Sequence, residues 1–142
     1  FVLMKTKKIK YEAEYNFKLI GISSSEDDYR LSWKLGKIFK AEFIKQEDIE
    51  IKDNKYTETQ KFVSYKCQPS NLSLNLRLVV NKTNIGYIVD ELKNIDYFLQ
   101  VFDSHDDAYL EKIISEIKAI SSVSAVFNLD LSRIKSKEKL LF

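Results

Sequence analysis

The sequence predicts a single α+β domain in which a mostly antiparallel sheet carries two helices on one face. Three observations lead to this prediction. Several stretches alternate apolar and polar residues as strands do, and two others place apolar residues three and four positions apart as helices do. Glycine and proline, at 3 and 1 of 142 residues, are too scarce for a linker between separate domains.

The domain is predicted to begin with a strand and a helix. Residues 11–19 alternate apolar and polar side chains, and residues 20–22 continue this strand. A helix over about residues 27–40 follows, because Ser25 can cap it and acidic residues fill its first turn. Gly36 weakens the interior of this helix and permits a close approach by a neighbouring segment. The buried stripe of the helix is predicted to be Leu31, Leu35, Ile38 and Phe39.

The middle of the chain is predicted to consist of strands and turns. Residues 60–67 and 72–80 both alternate, and Pro69 lies in the turn between them. These two runs should therefore pair as an antiparallel hairpin. Residues 41–55 are ambiguous between strand and loop. The shorter predicted elements are strand pieces at 43–44 and 49–51, a turn at 81–84 and an extended stretch at 86–89.

The last part of the domain is predicted to be strand, helix and strand. Residues 95–102 have aromatic side chains in half of their polar positions, which predicts a central strand buried on both faces. A helix begins at the acidic turn 103–107, and a last strand covers residues 123–131. The apolar stripe of this helix is Leu110, Ile113, Ile114 and Ile117. The element order β-α-β-β-β-α-β resembles the ferredoxin-like, or split βαβ, plan with an extra strand or two.

Charge separates the body of the chain from its two ends. The first ten residues carry +4 and residues 131–142 carry +3, whereas the whole chain carries only +2, so the body is mildly acidic. This is not the charge pattern of a dedicated nucleic-acid-binding protein. The apolar end of the chain, Leu140-Leu141-Phe142, is expected to dock on the domain or on a second copy. The predicted segments are a basic arm at 1–10, one domain at 11–131 and a basic and apolar tail at 132–142.

Composition also predicts where the protein works. The single cysteine, Cys67, excludes an intramolecular disulfide and fits a reducing compartment. Apolar runs fall well short of the roughly 18–20 residues that a bilayer-spanning helix needs. We expect Met4 to be the natural start and Phe1–Leu3 to be residues added upstream of it. The sequence therefore predicts a cytoplasmic protein with no membrane partner.

No catalytic, cofactor-binding or metal-ligating residue is predicted, because each reactive group has a structural interpretation. His105, the one histidine, lies in the acidic turn 103–107 at a helix start, whereas metal ligands must converge on one point. Cys67 falls on the inward side of its strand and is predicted to be a small buried apolar group. The carboxylates at 26–28 and 47–50 are neighbours on the surface, whereas carboxylate catalysis needs two acids facing each other across a cleft.

Three blocks of the sequence resemble the bacterial IPExxVDY family. They are Leu19-Ile20-Gly21-Ile22, Tyr29-Arg30-Leu31-Ser32-Trp33 and Ile95-Asp96-Tyr97-Phe98-Leu99, and the similarity extends over most of the chain. The VDY end of the motif corresponds to Ile95-Asp96-Tyr97, and the IPE end to Val89-Asp90-Glu91, which lacks the proline. The resemblance implies a small cytoplasmic protein. It implies no catalytic or binding residue, because the family is functionally uncharacterised.

The aspartate of this motif is predicted to have a partner inside the protein. Asp96 stands between apolar neighbours in a predicted central strand, where an unpaired carboxylate is costly. Its expected partners are Arg30, Arg77 or backbone N–H groups, so that it joins the sheet to a helix. The alternative is that Asp96 faces a ligand.

The sequence favours a non-enzymatic binding or protein-interaction module, with a protein partner or a second copy as its ligand. One alternative is an enzyme or a small-effector-binding, ACT-like regulatory domain that uses carboxylates, for which Asp96, Glu91 or the acids of 103–107 would have to converge. A weaker alternative is RNA contact through the basic termini. Tyr65, Tyr97 and Phe98 could stack on bases, but they are predicted to be core or sheet aromatics because the aromatic and glycine motif of RNA-binding sheets is missing.

Overall fold

A six-stranded antiparallel sheet, covered on both faces, carries the architecture. The computed structural model describes residues 16–52, 58–70, 73–102 and 106–141. The helices are α1 (Asp28–Phe39) and α2 (Asp107–Lys118). The strands are β1 (Phe17–Ser24), β2 (Ile44–Lys45), β3 (Ile49–Ile51), β4 (Gln60–Phe62), β5 (Ser64–Cys67), β6 (Asn75–Val80), β7 (Tyr97–Phe102) and β8 (Val123–Leu129).

The strands of the main sheet follow the order β2-β5-β6-β7-β1-β8, and every neighbouring pair is antiparallel. Strands β3 and β4 pair with each other as a separate hairpin. The prediction of an α+β domain with an antiparallel sheet is confirmed. The predicted hairpin around Pro69 is also confirmed, because β5 and β6 pair from Ser64 opposite Val79 to Cys67 opposite Leu76.

Strand β7 is central and buried on both faces, as the sequence predicts. Its first five residues are all buried, and it pairs with β6 on one side and β1 on the other. Leu99 and Val101 face the helices, and Phe98 belongs to the core on the opposite face. The strand begins at Tyr97, so that Ile95 and Asp96 lie in the turn that leads into it.

Two predicted strands have different limits in the structure. The run 60–67 breaks at Val63, and its halves join different sheets, β4 with β3 and β5 with β2 and β6. The last strand ends at Leu129, and a short 3-10 turn over Leu131–Arg133 follows it. The first strand is described from Phe17 onward, and the predicted positions 11–15 lie outside the described residues.

Both helices pack on the same face of the sheet, as predicted, through their apolar stripes. The stripe of α1 buries Leu31, Leu35 and Phe39, and that of α2 buries Leu110, Ile113 and Ile117. Asp106 caps α2, because its carboxylate accepts hydrogen bonds from the N–H groups of Ala108 (2.9 Å) and Tyr109 (3.4 Å). The predicted cap residues 103–105 lie outside the described residues.

The opposite face of the sheet is covered by the β3–β4 hairpin, by the segment before β7 and by the C-terminal tail. Ile134 and Leu140 of the tail are buried in this second core beside Phe98. The amide of Gln100 donates a hydrogen bond to the Leu140 carbonyl at 2.7 Å. The Glu91 carboxylate accepts hydrogen bonds from the N–H of Lys135 (2.9 Å) and from the hydroxyl of Ser136 (2.7 Å). The tail is therefore docked on its own domain as far as Leu141, and Phe142 lies outside the described residues.

Helix α1 ends in a tight reversal of the chain, which explains why a glycine occupies position 36. Lys40 adopts a left-handed conformation (φ 54°), and the N–H groups of Lys40 and Ala41 return to the Gly36 carbonyl. A Cβ atom on Gly36 would lie 2.7 Å from the backbone oxygen of Ala41. The predicted close approach at Gly36 is thus made by the segment that leaves the helix.

Candidate functional site

The exposed side of helix α1 displays two large aromatic side chains. Tyr29 and Trp33 are 57% and 62% exposed, and Trp33 is the only tryptophan of the chain. They are four residues apart and therefore adjacent on the helix surface, opposite the buried stripe of α1. Side chains of this size bury a large apolar area when a partner covers them. Their exposure marks this side of α1 as a candidate binding surface.

A groove runs beside these aromatic side chains, between α1 and the segment that leads to β2. We name it the α1 groove. It encloses about 460 Å³. Gly36 forms part of its floor because it has no side chain, and the reversal at Lys40 brings the chain back along the helix to form the second wall. The groove is lined by Tyr29, Ser32, Trp33, Gly36, Lys37, Ala41, Glu42 and Phe43.

Cationic groups accompany the aromatic rings. The Lys37 ammonium lies 3.6 Å from the centroid of the Trp33 ring, and the Arg30 guanidinium lies 5.8 Å from that of Tyr29. Both are cation–π contacts, which hold a positive charge against an aromatic face. Lys40, also exposed, lies in the reversal that ends the helix. The surface around the groove thus combines aromatic area with positive charge.

The motif Ile95-Asp96-Tyr97 has two buried residues and a partly buried aspartate, and it contacts the loop that leads into α1. Asp96 accepts a hydrogen bond from the Ser24 N–H at 2.8 Å and forms an ion pair with Lys82. The Tyr97 hydroxyl donates a hydrogen bond to the Glu26 carbonyl. The expected backbone N–H partner of Asp96 is thus present, and its charged partner is Lys82 rather than Arg30 or Arg77. Asp96 thus holds the end of β1, and Tyr97 holds the loop just before α1.

A second tyrosine holds the start of α1 from the neighbouring part of the sheet. Tyr65 on β5 donates a hydrogen bond to the Asp28 carboxylate at 2.7 Å. Tyr65, Tyr97 and Phe98 are all buried, which confirms the prediction that they are core aromatics. Burial is the largest cause that raises the pKa of the Tyr65 and Tyr97 hydroxyls above 10.0, and nearby carboxylates add to it.

These raised pKa values predict a loss of stability in base. An unfolded chain ionises its tyrosines near pH 10, whereas the folded protein keeps Tyr65 and Tyr97 protonated there. The free energy of unfolding should therefore fall as the pH rises, from about pH 9 through Cys67, whose pKa burial raises to about 11, and more steeply above about pH 10 through the two tyrosines. Tyr97→Phe should cost about 1 kcal/mol at neutral pH, through its hydrogen bond, and flatten the alkaline decline. Urea unfolding between neutral pH and pH 11 measures both effects, and an unchanged decline would contradict this assignment.

Cys67 has the environment of a buried apolar group. It is a free thiol, 3% exposed, and burial raises its pKa to about 11. The small exposed fraction confirms the predicted burial. The thiol is protonated at neutral pH and is therefore a poor nucleophile. His105 and Asp103 lie outside the described residues, so the interpretation of His105 as part of the acidic turn at the helix start stays a prediction.

The acidic residues that the sequence singles out do not line the α1 groove. Glu26 binds Lys34 at 2.6 Å, and Glu91 holds the tail, so each is engaged with the protein itself. Asp106 caps α2, and Asp107 forms an ion pair with Lys18 at 3.9 Å. Within the described ranges, no group of three histidine, cysteine, aspartate or glutamate residues is placed to hold a metal ion.

The acids of 47–50 lie in a different groove, between the β3–β4 hairpin and the tail. It encloses about 900 Å³ and also contains Lys66 and Arg77, which are directly opposite each other on β5 and β6. Burial lowers the pKa of Arg77. Lys66 and Arg77 also line an adjacent open groove of about 740 Å³ beside Phe102. Acidic and basic side chains share this region, so its charge is mixed.

No family model, no curated protein and no solved structure matches this chain. The resemblance to the IPExxVDY family therefore stays a prediction. Among the residues with a described position, none of the helices has the length and apolar character to cross a bilayer.

Proposed function

We propose that this protein is a non-enzymatic interaction module that binds an acidic segment of a partner protein in the α1 groove. The observation that carries the proposal is the exposure of Trp33, the largest apolar side chain of the domain, beside an open groove. Tryptophan, tyrosine and arginine are the residues that most often dominate binding energy at protein interfaces. Trp33, Tyr29 and Arg30 place all three types within five positions of one helix.

Charge determines the kind of segment that fits. Lys37 and Glu42 are the charged residues that line the groove, and Arg30 adds a second cation beside Tyr29, with the Glu26 carboxylate 4.0 Å away. A partner segment with aspartate or glutamate next to apolar anchors would place its charges on these cations and its anchors against the aromatic rings. A basic segment would be repelled at the same place. The partner is therefore an acidic segment that carries apolar side chains.

We also propose that the domain follows the ferredoxin-like plan, with β5 and β2 added at one edge. The order β8-β1-β7-β6 in the sheet, with chain order β1, α1, β6, β7, α2 and β8, supports this assignment. The buried free thiol of Cys67 supports a reducing compartment such as the cytoplasm.

Selection from a library of displayed random peptides tests the binding proposal. The full chain and its Trp33→Ala variant are each used as bait under identical low-salt conditions. Peptides selected by the wild type should be rich in acidic and apolar residues, and they should bind Trp33→Ala at least about tenfold more weakly, a loss of about 1.4 kcal/mol. Raising the salt concentration should weaken the same binding, because exposed charges are screened.

A matched control separates the groove from the rest of the surface. Phe127, the exposed aromatic residue of β8, is replaced with alanine, and this variant should bind the selected peptides like the wild type. Trp33→Ala should unfold within about 0.5 kcal/mol of the wild type, because the side chain is exposed. Selected peptides that are basic, or that bind Trp33→Ala as tightly as the wild type, would refute the proposal.

A further inference from the structure

Two cationic residues face each other across neighbouring strands of the main sheet. Lys66 on β5 and Arg77 on β6 are directly opposite each other, so both side chains lie on the same face of the sheet. Like charges in this relation destabilise a sheet. Lys66 is exposed, and Arg77 is partly buried. In the described part of the chain none of the ion pairs contains Lys66, so no carboxylate in direct contact offsets its charge.

These two cations line the open groove of about 740 Å³ beside Phe102, which we name the β5–β6 groove. Glu42 is the only acid among the lining residues that the structure describes. Gln46, Gln68 and Asn75 also line the groove, and amide side chains both donate and accept hydrogen bonds. Its volume is in the range of sites that hold small molecules. The groove thus combines two cations with several hydrogen-bonding groups.

We infer that the β5–β6 groove binds a small organic molecule through a phosphate or carboxylate group, which lies between Lys66 and Arg77. An anion at this place offsets the repulsion between the two cations. The guanidinium group can donate two parallel hydrogen bonds to such a group, and the ammonium group adds a second positive charge. Partial burial of Arg77 strengthens the attraction, because water screens the charge less. The amide residues of the groove are available to polar groups on the rest of the molecule.

The acids nearby do not select a cationic molecule instead. Glu47, Asp48 and Glu50 line the neighbouring groove of about 900 Å³, between the β3–β4 hairpin and the tail, and they do not line the β5–β6 groove. A cation in the β5–β6 groove would have Glu42 as its one described acid and would meet both cationic side chains. The charge of this groove therefore favours an anion.

Thermal unfolding of the full chain, at low ionic strength and with low millimolar probes, tests the inference. The probes are glycerol 2-phosphate and succinate, and sodium chloride at equal ionic strength is the reference. At least one probe should raise the midpoint temperature above that in chloride, because a ligand that binds only the folded protein stabilises it. A larger rise with glycerol 2-phosphate would identify a phosphate ligand, and a larger rise with succinate a carboxylate ligand. No rise with either probe would overturn the inference.

A matched pair of variants locates the binding. Lys66→Gln should weaken binding of the effective probe at least about tenfold. Without the probe, at low salt, this variant should unfold at the same temperature as the wild type or a higher one, because the repulsion across the strands is removed. Lys45→Gln is the control, since Lys45 is opposite Tyr65 on the other face of the sheet, and it should bind like the wild type.

Equal binding by Lys66→Gln and the wild type would overturn the inference, and so would a lower unfolding temperature of Lys66→Gln without the probe. The inference does not depend on the function proposed for the α1 groove. Trp33 does not line the β5–β6 groove, so Trp33→Ala should bind the probe like the wild type. Failure of one proposal is therefore distinguishable from failure of the other.

Discussion

Replacing Leu140 with alanine is expected to lower the free energy of unfolding by about 2–5 kcal/mol, the usual range for a fully buried leucine. Leu140 is 0% exposed although only two residues follow it in the sequence. It packs in the second core with Phe98, on the face of the sheet that the helices leave uncovered. Its carbonyl is held by Gln100. The tail is therefore part of the folded domain and contributes to its stability.

The measurement is urea unfolding of the full chain, followed by circular dichroism. Lys135→Ala is the matched control, because Lys135 lies in the same tail with an exposed side chain, and its variant should stay within about 0.5 kcal/mol of the wild type. Equal stability of Leu140→Ala and Lys135→Ala would show that the tail is not docked. A broad, non-cooperative transition in the Leu140 variant would support docking, because it would mean that one face of the sheet has lost its cover.

Asp96→Ala is expected to lower the free energy of unfolding by about 1–3 kcal/mol, the cost of leaving a partly buried N–H group without an acceptor. The Asp96 carboxylate receives the N–H of Ser24, whose side chain is buried at the end of β1. Loss of this hydrogen bond releases the loop between β1 and α1. The ion pair with the half-exposed Lys82 contributes less, because surface pairs contribute about 0–1 kcal/mol.

Two further variants separate the hydrogen bond from the charge. Asp96→Asn keeps an oxygen that can accept the Ser24 N–H, so it should recover most of the stability that Asp96→Ala loses. Lys82→Ala removes the ion pair alone and should cost no more than about 1 kcal/mol. If Asp96→Asn is as unstable as Asp96→Ala while Lys82→Ala is equally unstable, the charge dominates and the assignment made here is wrong.

Elements whose burial follows a local pattern of residues are predicted correctly from the sequence. Features that depend on which strands pair with each other are not. The helix stripe of Leu31 and Leu35 and the double-sided burial of β7 are local patterns, so they are recovered. The break at Val63 is not predicted. Phe62 and Ser64 are both buried, so the alternation of buried and exposed residues continues across the break, although the strands of these two residues belong to different sheets. The docking of Leu140 is a long-range contact, for which the sequence left two alternatives.

The candidate site is recovered only in part. Tyr29 and Trp33 belong to one of the three blocks that resemble the IPExxVDY family, but their exposure on the surface is not predicted from the sequence. A signal for them exists, since they lie four residues apart on the side of α1 opposite Leu31 and Leu35. The groove beside them depends on the reversal at Lys40, and a lysine in the left-handed conformation cannot be recognised from residue type. Of the partners expected for Asp96, a backbone N–H group is present, whereas its charged partner Lys82 is not predicted.

The fluorescence of Trp33 reports whether the α1 groove binds an acidic segment, because this residue is the only tryptophan and lines the groove. Emission is recorded while a selected acidic peptide is added to the full chain at low salt. We expect a saturable shift of the emission to shorter wavelength, as the exposed indole is covered, with reversal at high salt. Peptide binding that calorimetry detects, with no change in Trp33 emission, would contradict the proposed binding.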